Sequence, residues 1–360
     1  MELVNRTPLV ADLRLARAPG PRTESEHTLK LGMIVAKATF RFGATEAEIE
    51  TQAPVPLFSD DQETELGLLP RDDLPRGDPA FEVVVLGAAH APMGREIAQR
   101  TVALTVGSER RELLVTGDRA WELREGTRRI SAPARFSRMP LTYARAFGGT
   151  IEVLIDREAP IDIADPLNPQ GKGFDPGPAI EAQAQLFQVP PGYPQYDALR
   201  RLPNVEDVKA PISRWDDAPR PVGWAAVPMS IGLHALRIVG RDPRDAARPD
   251  PEAFAPDVFH RAHPDWVIAL PKRGSTVTLE GLTPEPRVSF ALPALRVHAD
   301  YLVDARVGTL DLAPQMLVLL PEERRFYLVY RALFSMEVHP DQARVMRLRV
   351  SPGWPEERTS

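Results

Sequence analysis

Apolar and polar residues alternate along LGMIVAKATFRF, residues 31–42, so that Ile34, Ala36, Ala38, Phe40 and Phe42 fall on one side and Lys37, Thr39 and Arg41 on the other. A period of two is the pattern of a β-strand with one face on a core and one in water. Residues 82–89, EVVVLGAA, replace the alternation with a continuous apolar, β-branched run. That run predicts a central strand covered on both faces. Further strands are predicted at 102–106, 112–116, 276–279, 287–292, 297–303 and 325–332, most of them alternating.

Between about 156 and 221 the periodicity gives way to NPQGKGF, QVPPGYPQY, RLPNVED and DDAPRP. Structureless loops beyond ~15 residues are uncommon in compact domains, and the aromatics Phe174, Phe187, Tyr193, Tyr196 and Trp215 point to ordered packing here. One helix is predicted over 229–239, with Met229, Leu233, Leu236 and Ile238 on one face and Gly232 weakening it. The polar, Pro-rich RDPRDAARPDPEAFAPD follows. It sets an expected boundary between a strand-rich domain over 1–240 and a second strand-rich segment over 241–360, packed into the same domain or beside it.

The 38 prolines sharpen this picture. They are about twice the usual ~5% share and punctuate the whole chain. Proline gives the backbone no donor, so it belongs in turns, at strand ends and on edge strands. The expected fold is mainly β: antiparallel sandwich or barrel-like sheets, long ordered Pro/Gly-rich loops, and one or two short helices.

Charge and composition remove several functions. The net charge is −6 and the Lys and Arg residues are scattered, which leaves no basic footprint for nucleic acid. No stretch approaches the ~20 apolar residues that span a bilayer, and MELVNRTPLVADL lacks the apolar run of a secretory signal. The expectation is a cytoplasmic protein without membrane insertion. With no Cys, disulfides, thiolate catalysis and Cys-ligated zinc are excluded together.

No motif supplies catalytic chemistry. GKG at 171–173 lacks the earlier glycine of a phosphate loop, Pro166 standing there, and Gly173 occupies the Ser/Thr position. No Gly-x-Ser-x-Gly elbow occurs. His260 and His263, with Asp257 or Asp265, have a spacing open to a metal, but Pro264 ends any helix at once. Both read as loop or surface histidines. His90 follows the most apolar run and needs an orienting carboxylate to act as a base; nothing near it in sequence provides one. Asp72-Asp73 and Asp216-Asp217 read as solvated turns. In FSRMPLTYARAFGGT, 136–150, a strand register puts Met139, Leu141, Tyr143, Arg145 and Phe147 on one face, and Gly148-Gly149 then permits a turn with positive φ.

Read in order, LVNRTP, IVAKATFRF, GDP at 77–79, VVVLGAAHAP at 83–92, GDRAW at 117–121, FSRMPLTYARAFGGT, NPQGKGF at 168–174 and LPNVED at 202–207 resemble the bacterial family called domain of unknown function 2169 (DUF2169). The likeness covers roughly the first two thirds of the chain. Beyond Pro221 the family's Asn-Ala-Ala-Pro-x-Asp-Gln pattern is met only by Ala262, Pro264 and Asp265, with Trp266 where Gln would stand. The resemblance implies a type VI secretion adaptor or chaperone that loads an effector onto the VgrG spike and its PAAR tip, with no catalytic residue and no cofactor. Tyr143, Arg145, Phe147, Lys172 and Phe174 are then the candidate partner contacts. An immunity protein that neutralises a toxin, and an enzyme using His90 or the 260–263 pair, are the alternatives.

Overall fold

The computed structural model describes residues 2–16, 30–43, 45–74, 76, 79–155, 160–181, 193–196, 200–228, 260–303, 306–336 and 344–353. The predicted 229–239 helix, the connector after it and Asp257 lie outside them.

The protein is mainly β. In its larger sheet the hydrogen-bonded neighbours run Glu2–Asn5, Arg344–Pro352, Leu295–Val303, Arg306–Leu320, Arg325–Met336, Lys30–Phe42 and Val10–Ala16. The two outer strands, Glu2–Asn5 and Val10–Ala16, are consecutive in the chain and joined by residues 6–9. A twisted sheet whose opposite edges are tied by so short a link must curl on itself, and it forms a nearly closed, barrel-like layer.

Phe81–Val85 branches off this path. It pairs in parallel with Arg306–Leu320 and antiparallel with Val267–Ile268, and each of its residues is buried. The apolar run thus forms the central strand its composition predicts. The run breaks at Gly87, where a Cβ would lie 3.3 Å from the Pro321 ring, and Ala88–His90 leaves to pair with Arg138–Pro140.

The second sheet is antiparallel throughout: Val205–Asp207, Glu109–Thr116, Gln99–Val106, Thr276–Glu280, Arg287–Ala291. Phe290 ties it to the larger sheet, stacking on Phe42 at 4.6 Å and on Phe326 at 5.0 Å. One buried cluster draws on both sheets and on strands from each side of residue 240. Each aromatic in it contributes about 1.5–3 kcal/mol by burial.

Two expectations change at Lys30–Phe42. Its polar side is not solvated: Lys37 and Thr39 are buried, and of the three only Arg41 is exposed. The segment after residue 50 covers that face. Thr39 Oγ1 accepts from the Val55 N–H at 2.9 Å. Lys37 Nζ donates to the Pro56 carbonyl at 2.8 Å, pairs with Asp72 at 2.7 Å, and lies 4.5 Å and 4.3 Å from the Phe58 and Tyr327 ring centres. Asp72 is therefore a buried counter-ion and not part of a solvated turn, because a buried ammonium requires one. Asp216, by contrast, is exposed.

Candidate binding cleft

The stretch 139–147 is not one strand. Pro140 ends the Arg138–Pro140 strand, and Tyr143–Arg145 forms a 3-10 turn. A shared face for Met139, Leu141, Tyr143, Arg145 and Phe147 therefore does not form. Tyr143 and Phe147 are buried in two separate apolar clusters, while Arg145, Lys172 and Phe174 are half-buried.

The turn at Gly148-Gly149 has the predicted positive φ, 131° and 125°. It lets Phe147–Gly148 bridge in parallel to Lys172–Gly173. A Cβ on Gly148 would stand 2.2 Å from the Asn168 carbonyl, and one on Gly171 2.7 Å from the carbonyls of Ala146 and Phe147. Gly148, Gly149 and Gly171 thus serve backbone-to-backbone contact, while Gly173 leaves room for the Pro203 and Phe147 rings. Asn168 locks the contact, donating to the carbonyls of Tyr143 and Phe147 at 2.8 Å each.

Asn204, fully buried, is the hub beside it. Its Nδ2 donates to the Thr116 carbonyl and to Asp118 Oδ1, both at 3.0 Å. Its Oδ1 accepts from Arg145 Nη1 and Lys172 Nζ, both at 3.1 Å. The Asn204 amide holds the Asp118 carboxyl below its ordinary range; partial burial opposes this, and Lys172 and Arg145 add to it. Burial pushes the Lys172 ammonium down, against Asp118. Next along the chain, Glu206 pairs with Arg119 and accepts from the Ile212 N–H at 2.8 Å; burial raises its pKa. The segments 117–121, 136–150, 168–174 and 202–207 all meet here. Arg145 and Lys172 come together, half-buried, on Asn204; Phe174, half-buried, bonds the Gly148 carbonyl through its N–H, and Tyr143 and Phe147 are buried in the separate clusters.

Asn204 directly precedes the edge strand Val205–Asp207, and a cleft of about 500 Å³ opens at the other end of that strand, about 10 Å away at 3.3 Å per residue. Residues 110–113, 207–209, 222–224, 263, 265 and 266 line it. Trp224 and Trp266 meet edge to face at 6.2 Å, and the Arg111 guanidinium lies 5.8 Å from the Trp266 ring centre. Tyr143 backs this wall: a Cβ on Gly223 would touch its ring at 3.1 Å. Trp224 sits in a Pro-rich stretch without periodicity and Trp266 ends the short 3-10 turn Pro264–Trp266, so no pattern in the sequence pairs them.

His260 and His263 lie in a loop, as their sequence reads, but are buried and not at the surface. His263 Nδ1 accepts from the Asp265 N–H at 3.2 Å and its Nε2 faces the Pro221 carbonyl at 3.3 Å, so the proton sits on Nε2; burial lowers its pKa. Among the described residues no group of three or more His, Asp or Glu is placed to hold a metal ion. His90 does have a carboxylate, supplied from far along the chain: Glu322 Oε1 lies 3.4 Å from its Nε2. Arg138 grips the same carboxylate through two bonds of 2.7 and 2.8 Å. Burial pushes the His90 pKa down, against the pull of Glu322, and favours the neutral ring.

No helix among the described residues is long and apolar enough to cross a membrane. A family model described as an uncharacterized protein conserved in bacteria (DUF2169) matches residues 27–331. No curated protein and no solved structure matches the chain.

Proposed function

Since the chain belongs to the DUF2169 family of uncharacterized bacterial proteins, we propose that it is a non-catalytic adaptor or chaperone of type VI secretion, holding an effector, the VgrG–PAAR spike, or both in the cytoplasm before firing. The cleft carries this reading. Its wall presents Arg111, half-buried beside the Trp266 ring and of a residue type enriched at protein interfaces, over a floor that the buried Trp224 and Trp266 hold rigid. The Arg145–Lys172 group lies at the other end of the same edge strand, so one surface of the size a stable complex needs, about 800 Å² per partner, can use both. The scaffold beneath is held by two sheets and one core, which lowers the ordering cost of binding.

The test is co-purification of the tagged chain with the products of the neighbouring genes, followed by a secretion assay in a strain lacking it. A stoichiometric complex with an effector or spike protein, and loss of that effector from the medium, are expected. Unchanged secretion in the deletion strain refutes the proposal. Protection from a toxin with secretion intact assigns the immunity role instead.

A further inference from the structure

We infer that the face built around Asn204 docks an acidic stretch of a partner polypeptide, whose carboxylates are taken by Arg145, Lys172, Arg201 and Arg128. That the partner is an effector or spike protein rests on the adaptor reading above; the chemistry of the contact does not.

The chain as a whole carries −6, yet this face has positive charge in excess. Arg119 is matched by Glu206 and Arg200 by Asp175. Lys172, Arg145 and Arg201 share one carboxylate, that of Asp118, and all three act on it. Asp118 is 71% exposed and stands 3.7 Å from Lys172 Nζ and 4.0 Å from Arg145 Nη1, beyond hydrogen-bond length. The other acceptor that Arg145 and Lys172 share, Asn204 Oδ1, is neutral. Burial, and after it Arg145 and Arg201, push the Lys172 ammonium down against Asp118, as befits a cation short of counter-charge. Lys172 and Arg145 keep 26% and 31% of their side chains open to solvent.

Arg201 and Arg128 are exposed, and neither has a carboxylate partner among the described residues. The Arg128 guanidinium lies 3.8 Å from the Trp215 ring centre and that of Arg200 3.9 Å. Two planar groups so close cannot share one face, so the indole is held between them. Arg200 Nη1 also donates to the Gly173 carbonyl at 2.9 Å, which ties this stack to the residue after Lys172.

These cations are in position before any partner arrives. The Arg145 carbonyl accepts from the Asn204 N–H at 2.8 Å and the Lys172 N–H donates to the Ala146 carbonyl at 2.9 Å, while Asn204 itself is fully buried. A guanidinium flat on an indole likewise has little freedom left to lose. Prearrangement lowers the cost of binding, and complementary charge selects and steers the partner. The Asp118 group and the Arg128–Trp215 stack are joined through Gly173 but distinct, so a row of carboxylates along a chain fits them better than a lone anion. Asp118 marks the chemistry: it is the protein's own carboxylate, loosely held where a partner's would lie.

The experiment measures binding of a labelled, end-capped hexaglutamate peptide to the full chain by fluorescence polarisation, with hexaglutamine and single-stranded dodecathymidylate as comparisons. Hexaglutamate should bind and hexaglutamine should not, and raising salt from about 0.05 to about 0.5 M should weaken binding on the order of tenfold. Lys172→Gln should weaken it about fivefold, which is the ~1 kcal/mol between unit charges 4 Å apart in water. Arg201→Gln, at an exposed side chain bonded to no described residue, should do the same without touching the fold. Lys272→Gln, the same charge change in the exposed turn before Thr276–Glu280, should cost less than about twofold once salt screens distant charges. Asp118→Asn keeps the acceptor for Asn204 and removes the competing charge, so it should tighten binding about threefold, whereas Asp311→Asn, on the larger sheet, should not. No hexaglutamate binding, equal losses from Lys172→Gln and Lys272→Gln, or tighter binding of dodecathymidylate than of hexaglutamate overturns the inference. Hexaglutamate binding with no co-purifying effector or spike protein keeps the acidic docking site and removes the secretion role; capture of such a protein that survives Lys172→Gln combined with Arg201→Gln keeps the secretion role and removes the site.

Discussion

The buried Lys37–Asp72 pair yields a quantitative prediction. Both side chains are essentially inaccessible, 0% and 1% exposed, and their charged atoms are 2.7 Å apart. At an effective dielectric of 20 their attraction is roughly 6 kcal/mol, against a desolvation cost of several kcal/mol per ion. The pair as a whole is close to balanced, but either ion alone is not. Asp72→Asn leaves the ammonium with the Pro56 carbonyl and two ring faces. Lys37→Met leaves the carboxylate with the Phe58 N–H, 2.8 Å away. Each single change should cost about 3–5 kcal/mol, and the double variant no more than the worse single. The coupling from a double-mutant cycle, read by urea unfolding with linear extrapolation, should therefore reach about 2 kcal/mol or more. The sign of the pH dependence follows. Burial, opposed by Asp72, lowers the Lys37 pKa to about 8 from 10.5. The unfolded chain binds more protons between those values, so stability should rise with pH from 8 upward, and Lys37→Met should flatten that rise. Single-variant losses that simply add, within about 0.5 kcal/mol, would refute the reasoning.

Further outcomes follow from other sites. Glu50, held down to about 2 by the Ala53 N–H, Arg41 and the Gln52 N–H, contributes stability that is complete above pH 4.5 and lost as pH falls toward 2; Glu50→Gln should make acid unfolding, followed by circular dichroism, less steep in that window. A Cβ on Gly117 would stand 1.8 Å from the Ala134 carbonyl, so Gly117→Ala should cost about 3 kcal/mol or more, and a thermal midpoint equal to the parent's would contradict the contact. Asn204→Ala strips the Thr116 carbonyl, Arg145 and Lys172 of their shared partner; a loss of about 2–4 kcal/mol in urea unfolding is expected. His90→Ala should leave capture of a co-purifying partner unchanged, and loss of capture would tie that histidine to binding.

Local pattern was a good guide wherever burial followed the strand's own period. Of the six predicted strands from 102–106 to 325–332, five lie within observed ones and 287–292 overruns Arg287–Ala291 by one residue. Arg306–Leu320 escaped because Pro314 interrupts it; a register shift between Pro314 and Met316 admits the proline. Lys37 and Thr39 read as solvated because what covers them is a loop with no periodicity. Arg145 and Lys172 stand out individually, but Asn204, which joins them, lies in a stretch without periodicity and carries no signal of its own. The Glu322 carboxylate beside His90 and the Trp224–Trp266 wall are products of long-range folding that no spacing along the chain announces.

Because Glu2–Asn5 is hydrogen-bonded to Arg344–Pro352 and Lys30–Phe42 pairs along its length with Arg325–Met336, the barrel-like sheet joins segments far apart in the chain. Closing such long loops makes its assembly slow for its contact order, and until Arg325–Met336 is in place one side of Lys30–Phe42 has bare pairing groups that need shielding from other chains.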